Sequence, residues 1–177
     1  KSTHANPTVA TDGKRVVAFF GSEGLYCYDM KGKQIWKKDL GVLDAGFFVA
    51  PDAQWGFASS PVIWQDKVIV QCDVLTKPFL AAFRLSDGDE VWRTSRDDVP
   101  TWSTPAIHTS GERTQVVVNG FKHMGGYDAE TGREIWRMKG TGDIPVPVPV
   151  IGKGLIFISQ AHGGGSPIYA IRPGAEG

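Results

Sequence analysis

Few side chains of this 177-residue chain fall into spacings that do chemistry. The four histidines, His4, His108, His123 and His162, form no HxxxH or HExxH pair, so no helical zinc motif is encoded. His123 and His162 each follow the second strand of a repeat unit and are expected in loops on one face, as polar loop residues before ligands. Cys27 and Cys72 lie 45 residues apart, which excludes CxxC metal or redox motifs and CxxCH haem attachment. Two buried thiols are expected of them; a disulfide would need a close Cα approach that spacing alone does not establish. Asp97-Asp98 and Asp143 sit in connections and read as solvated turn carboxylates. Gly163-Gly164-Gly165 is followed by no Lys-Ser/Thr, so it reads as a hairpin tip rather than a phosphate loop. There is no GxSxG elbow, and no cluster of Asp, Glu and Asn stands out as a calcium cage.

One polar set does recur. Gln71, Asn119 and Ser159 stand at equivalent positions when Val68, Val116 and Ile156 are aligned, each at the end of a second strand. Such a ring of polar groups could line a central channel and take a partner or small ligand. It could equally bond within itself and to the next unit.

The elements that must carry these residues show a fixed period. Pro61, Pro105 and Pro149 are 44 residues apart in succession, and Trp92 and Trp136 are also 44 apart. Pro7 and Trp36 begin the series 29 residues apart, against 31 in the later units. A period near 44 built of short β-branched and aromatic runs, bounded by Gly, Asp and Asn, is the mark of propeller blades. No segment carries a helical period over 11 residues. The predicted fold is all-β: a β-propeller of four-stranded antiparallel blades, about four of them present, the last incomplete, as part of a seven- or eight-bladed ring. The whole of 1–177 is one propeller portion, with blades at about 6–41, 59–98, 103–140 and 148–177 and an aromatic-rich insertion at 41–57. By the period, a fourth tryptophan falls near position 180. A piece of a longer propeller is therefore expected in preference to a four-bladed ring closed by the N-terminus, as is a processed or partial start at Lys1.

Lys+Arg and Asp+Glu both number 19, so no basic excess draws the chain to nucleic acid or an anionic membrane. No apolar run reaches the roughly 20 residues of a membrane span.

The best-formed unit reads Gly126-Tyr127-Asp128-Ala129-Glu130-Thr131-Gly132-Arg133-Glu134-Ile135-Trp136. Asp128 and Thr131 are suited to bonding turn amides, Gly132 supplies a positive φ, and Trp136 emerges on the next strand to fill the gap between blades. The segment resembles the tryptophan-docking motif of pyrroloquinoline-quinone-like (PQQ-like) β-propeller repeats. Unit two keeps Ala82, Gly88, Glu90 and Trp92 but has Arg84, Asp87 and Asp89 at motif positions; unit one keeps Asp29, Gly32, Lys33 and Trp36. The resemblance implies a bacterial, exported repeat protein in the periplasm or outside the cell, whose relatives include quinoprotein alcohol dehydrogenases and a scaffold lipoprotein of outer-membrane barrel assembly. The dehydrogenases use an adjacent cysteine pair and a calcium site, and no Cys-Cys pair exists in this chain. The expectation is a non-enzymatic binding or scaffold module without cofactor, its face contacting a protein or small ligand, with self-association through an open blade edge. The alternative is a fragment of a dehydrogenase using PQQ and calcium.

Overall fold

In the computed structural model, residues 6–160, 162 and 166–174 are described. His4 and the glycine run Gly163–Gly165 lie outside them. The strands form successive antiparallel sheets in chain order. Blade one is β1 (Ala10–Thr11), β2 (Arg15–Phe19), β3 (Leu25–Asp29) and β4 (Gln34–Lys38). A hairpin follows, β5 (Gly46–Phe47) and β6 (Ala50–Gln54). Blade two is β7 (Val62–Trp64), β8 (Lys67–Cys72), β9 (Phe79–Arg84) and β10 (Glu90–Ser95). Blade three is β11 (Ala106–Ser110), β12 (Arg113–Val118), β13 (His123–Asp128) and β14 (Glu134–Lys139). Blade four has three strands among the described residues, β15 (Val150–Gly152), β16 (Leu155–Ser159) and β17 (Ile168–Ile171). The fold is an arc of a β-propeller, and among the described residues its helix content is one 3₁₀ turn at Gly21–Glu23.

Each strand reverses the last. Connections after second and fourth strands therefore emerge at one end of every blade, the upper face; turns after first and third strands form the lower face. The first strands of neighbouring blades approach one another, β1 with β7 and β11 with β15.

The lower-face turns follow from side-chain chemistry. Asp128 Oδ1 accepts from the Glu130 and Thr131 amides and the Thr131 hydroxyl. Asp29 Oδ1 does the same for Lys31 and Lys33 in blade one. Blade two has Arg84 at this position, and Asp87 supplies the carboxylate instead, accepting from the Asp89 amide and pairing with Arg84 at 2.8 Å. Gly32, Gly88 and Gly132 close these turns at φ +81°, +78° and +73°, where a side chain is strained.

Each turn leads into a bulge that sequence periodicity did not reveal. Ile35, Val91 and Ile135 have no opposite partner, and the next residue is a tryptophan paired with Cys27, Ala82 or Gly126. The extra residue re-aims the ring. Trp36 reaches into blade two, donating from Nε1 to Leu85 O at 3.0 Å and roofing Gly88. Trp92 reaches into blade three, donating to Ala129 O at 3.1 Å and roofing Gly132. Trp136 differs: its indole N–H goes to Gln115 Oε1 in its own blade, at 2.6 Å.

Among the described residues, three apolar clusters lie between the blades. Val17, Phe19 and Cys27 meet Val68, Val70 and Phe83; Ile69 and Ala82 meet Val116 and Tyr127; Val117 and Met124 meet Ile156 and Ile158. β8 is buried at every position, because both its faces are covered, whereas β16 alternates. Cys27 and Cys72 are free and fully buried in the first cluster. Burial pushes the Cys27 thiol up and the Cys72 thiol well above its usual range.

Candidate functional site

The upper face between blades two and three holds a set of ionisable groups removed from water. Arg96 follows β10 with its side chain 0% exposed. Its Nε donates to Asp73 Oδ1 at 2.6 Å, its Nη2 to Asp98 Oδ2 at 3.0 Å, and its Nη1 to the Tyr127 hydroxyl at 2.8 Å. Asp73 also accepts from Gln71 Nε2 and the Thr101 hydroxyl. Asp98 Oδ1 accepts from the backbone amides of Val99, Phe121 and Lys122. His123 Nδ1 stands 3.9 Å from Asp98 Oδ2, and its Nε2 is buried without a partner. Gly120 packs so closely on Asp98 and Arg96 that a Cβ would overlap both.

The electrostatics follow from burial. One guanidinium serves two carboxylates. Burial opposes the charge on Arg96, yet Asp73, Tyr127 and Asp98 together hold its pKa above the usual arginine range. Burial and the neighbouring Asp73 charge raise Asp98 to about 6. Burial, with the Arg96 and Arg137 charges, lowers His123 to about 4. Asp98 therefore holds a proton more readily than the adjacent imidazole, the reverse of their order in water.

Two sequence expectations are corrected here. Asp98 is a buried ligand of Arg96 rather than a solvated turn carboxylate, while Asp97 beside it remains exposed and pairs with Lys122. His123 opens β13 and is buried rather than sitting in a loop. His162 is exposed on the same face, 2.6 Å from Asp143. Asp73 and Arg96 were not singled out from sequence, because their burial depends on a neighbouring blade. A signal did exist: 44 residues after Arg96 and Asp98, the next unit has Gly140 and Gly142.

Gln71, Asn119 and Ser159 are brought together across blades. Gln71 Nε2 donates to Asn119 O at 2.9 Å, and Asn119 Nδ2 donates to Ser159 O at 3.1 Å and Pro147 O at 3.0 Å. Gln71 and Asn119 are closed to solvent.

Beside this clamp lies the aromatic-rich insertion expected at 41–57, found as the β5–β6 hairpin. Leu43, Ala45 and Phe57 anchor it in the first core cluster. Phe47 stacks on Trp55 at 5.1 Å, Phe48 contacts Phe121 at 4.6 Å, and Trp55 contacts Trp102, whose Nε1 donates to Gly56 O. Phe121 and Lys122 donate their amides to Asp98, so the aromatic layer and the ion cluster share one backbone turn. Trp55, Val42 and Val49 remain exposed, as do Val146 and Val148 in the nearby connection between blades three and four. On the lower face a cleft of about 190 Å³ is lined by Ser110, Arg113, Gln115, Pro173 and Gly174.

The family model described as "Outer membrane protein assembly factor BamB" matches residues 77–171, more than half of the chain. The chain belongs to the PQQ-like β-propeller repeat family. Its arc is similar to BamB from Moraxella catarrhalis, with 17% identity over 86% of this chain and 46% of that one, at a TM-score of 0.63. It is also similar to quinohaemoprotein alcohol dehydrogenase from Comamonas testosteroni, with 18% identity over 81% of this chain and 22% of that one, at a TM-score of 0.60. The computationally designed Ika8 protein superimposes on 96% of this chain and 47% of its own, at 12% identity and a TM-score of 0.63. The chain thus spans less than half the length of each. At these identities the shared property is the fold. No curated protein sequence matches the chain significantly.

Proposed function

We propose that this chain is a non-enzymatic binding module of an exported PQQ-like propeller protein, contacting a protein partner through its upper face. The observation that carries this reading is the aromatic hairpin. A two-stranded ribbon has little stability alone, yet this one is fixed by Phe57 below and by Phe121 and Trp102 at its sides. It leaves Trp55, Val49 and Val42 facing water, beside Val146 and Val148. Rigid aromatic groups with an exposed apolar rim are the usual anchors of protein interfaces. An exported location and a scaffold role accord with family membership, and the docked tryptophans serve this role by holding the blades that carry the face.

The described residues lend the quinone alternative no support of their own. Cys27 and Cys72 are free thiols enclosed in apolar core, and the Asp73 and Asp98 carboxylates are committed to Arg96 and, for Asp98, to backbone amides. Two measurements test the proposal. A photo-crosslinking residue at Val49 should trap a discrete partner, and Trp55→Ala should abolish the adduct while the same probe at Val91 traps none. Robust alcohol oxidation by the chain reconstituted with the quinone and calcium would overturn the reading.

A further inference from the structure

The carboxylates of the upper face divide into two groups. Over blades two to four they are paired: Asp73 and Asp98 with Arg96, Asp97 with Lys122, and Asp143 with His162. Around the aromatic hairpin they are not. Among the described residues Glu23, Asp39, Asp44 and Asp52 have no basic side chain within 4.0 Å, and the other acids that lack one, Asp29, Glu112 and Asp128, stand at lower-face turns. Residues 39–60 include three aspartates and no lysine, arginine or histidine.

These acids border the apolar patch of the hairpin. The Leu43 amide donates to Ser22 Oγ at 2.8 Å, which brings Glu23 beside the run Val42-Leu43-Asp44. Asp44 Oδ1 accepts from the Gly46 amide at 3.1 Å and from Gln54 Nε2 at 3.0 Å, so this carboxylate is fixed next to the residue that precedes Trp55. Asp52 is exposed on β6, between Val49 and Trp55 in the chain. Trp55 is 42% exposed, and Phe47 backs it in a near-parallel stack with an interplanar angle of 14°. Lys37, which feels Glu23 and Asp39 from a distance, stands over the Tyr26 ring at 5.0 Å.

We infer that the partner taken by this face is a cationic, amphipathic segment of a protein, with an arginine laid on Trp55 and its charge met by Asp44 and Asp52. The inference rests on the reading of the upper face as a protein-binding surface and adds the chemistry of what binds there. A guanidinium is planar and weakly hydrated, so it stacks on an indole while its edge donates to carboxylates. Apolar neighbours of that arginine would cover Val42 and Val49, which are 83% and 67% exposed. Carboxylates without counter-ions speed the encounter with a basic partner and turn away an acidic one. The same charge repels phosphate groups, so neither nucleic acid nor an anionic membrane fits this surface.

Fluorescence anisotropy with short labelled peptides, in which leucine alternates with arginine, glutamine or glutamate, tests the inference. The expected order of affinity is arginine above glutamine above glutamate, and the advantage of arginine should shrink as salt is raised. Asp52→Lys, at an exposed position with no hydrogen bond among the described residues, should weaken binding of the arginine peptide about fivefold or more. Asp44→Asn, which keeps Oδ1 as an acceptor, should weaken it about threefold. Glu112→Gln, at an unpaired acid of the lower face, should change nothing. No binding of the arginine peptide, equal affinity for the arginine and glutamine peptides, or binding indifferent to Asp52→Lys each overturns the inference. A crosslinked adduct at Val49 that forms despite such a result keeps the face as an interface of other chemistry; absence of both the adduct and arginine-peptide binding overturns the two readings together.

Discussion

The junction between blades two and three and that between blades three and four fill a gap on the same face with opposite chemistry, the first from the residue after a fourth strand and the second from the residue after a second strand. At the first, Arg96 is buried between Asp73 and Asp98. At the second, Gln160 occupies the gap: its Nε2 donates to Asn119 Oδ1 and Gly120 O, and its Oε1 accepts from the amides of Thr141 and Gly142. A primary amide carries both donors and acceptors and can satisfy such a gap alone. A guanidinium only donates, so it needs carboxylates brought from separate connections, and each must then be desolvated. The neutral junction is self-sufficient. The ionic one depends on every member being in place, and it ties in the Phe121 turn on which the aromatic hairpin rests.

The largest effect expected from this contrast is at Arg96. Arg96→Ala leaves two buried carboxylates without their cation and should cost about 3–5 kcal/mol in urea unfolding. Gln160→Ala at the neutral junction should cost less, about 1–3 kcal/mol, through unpaired amides. Equal losses would show that charge does not distinguish the junctions.

The lower face gives a second contrast. Gly132→Ala combines a positive φ with overlap of the Trp92 ring, for about 3 kcal/mol or more in total. Gly32→Ala meets nothing within 4 Å and should cost only the backbone strain, about 1–2 kcal/mol. Thermal unfolding of the pair checks the order.

The smallest effects are in pH dependence. Asp98 is raised from 3.8 to about 6, so the folded chain holds a proton there that the unfolded chain has released. Its contribution to stability therefore falls as pH rises between these values. His123 is lowered from 6.5 to about 4, so the folded chain lacks a proton that the unfolded chain holds. Its contribution rises with pH over nearly the same range. In the intact protein the two slopes oppose each other and stability should be nearly flat from pH 4 to 6. Asp98→Asn should expose a rising slope and His123→Gln a falling one, each up to about 1.4 kcal/mol per pH unit. A steep slope in the intact chain would break the pairing of these groups.

Much of the architecture was legible in the chain itself, since the proline and tryptophan period and the Asp-x-x-Thr-Gly turn are local signals. The strands at Leu25–Asp29, Leu155–Ser159 and Ile168–Ile171 follow directly from their β-branched and aromatic runs. The ion cluster was not legible, because Asp73, Arg96 and Asp98 come from two connections of blade two and are closed off from water by Tyr127, His123 and the Phe121 turn of blade three. Before packing, an aspartate in a polar connection reads as solvated. The bulges at Ile35, Val91 and Ile135 were hidden for a related reason: a one-residue insertion in a strand leaves apolar content unchanged and alters only which way the next side chain points. The bond from Trp136 to Gln115 likewise depends on a glutamine that has no counterpart in the motif.

The buried thiols have a use that packing alone does not suggest. An alkylating reagent attacks thiolate, and both Cys27 and Cys72 are enclosed and held toward the protonated form. Both lie in the cluster joining blades one and two. Labelling of the native chain should therefore wait on that junction opening, which makes the two cysteines a built-in clock for how often the first pair of blades parts.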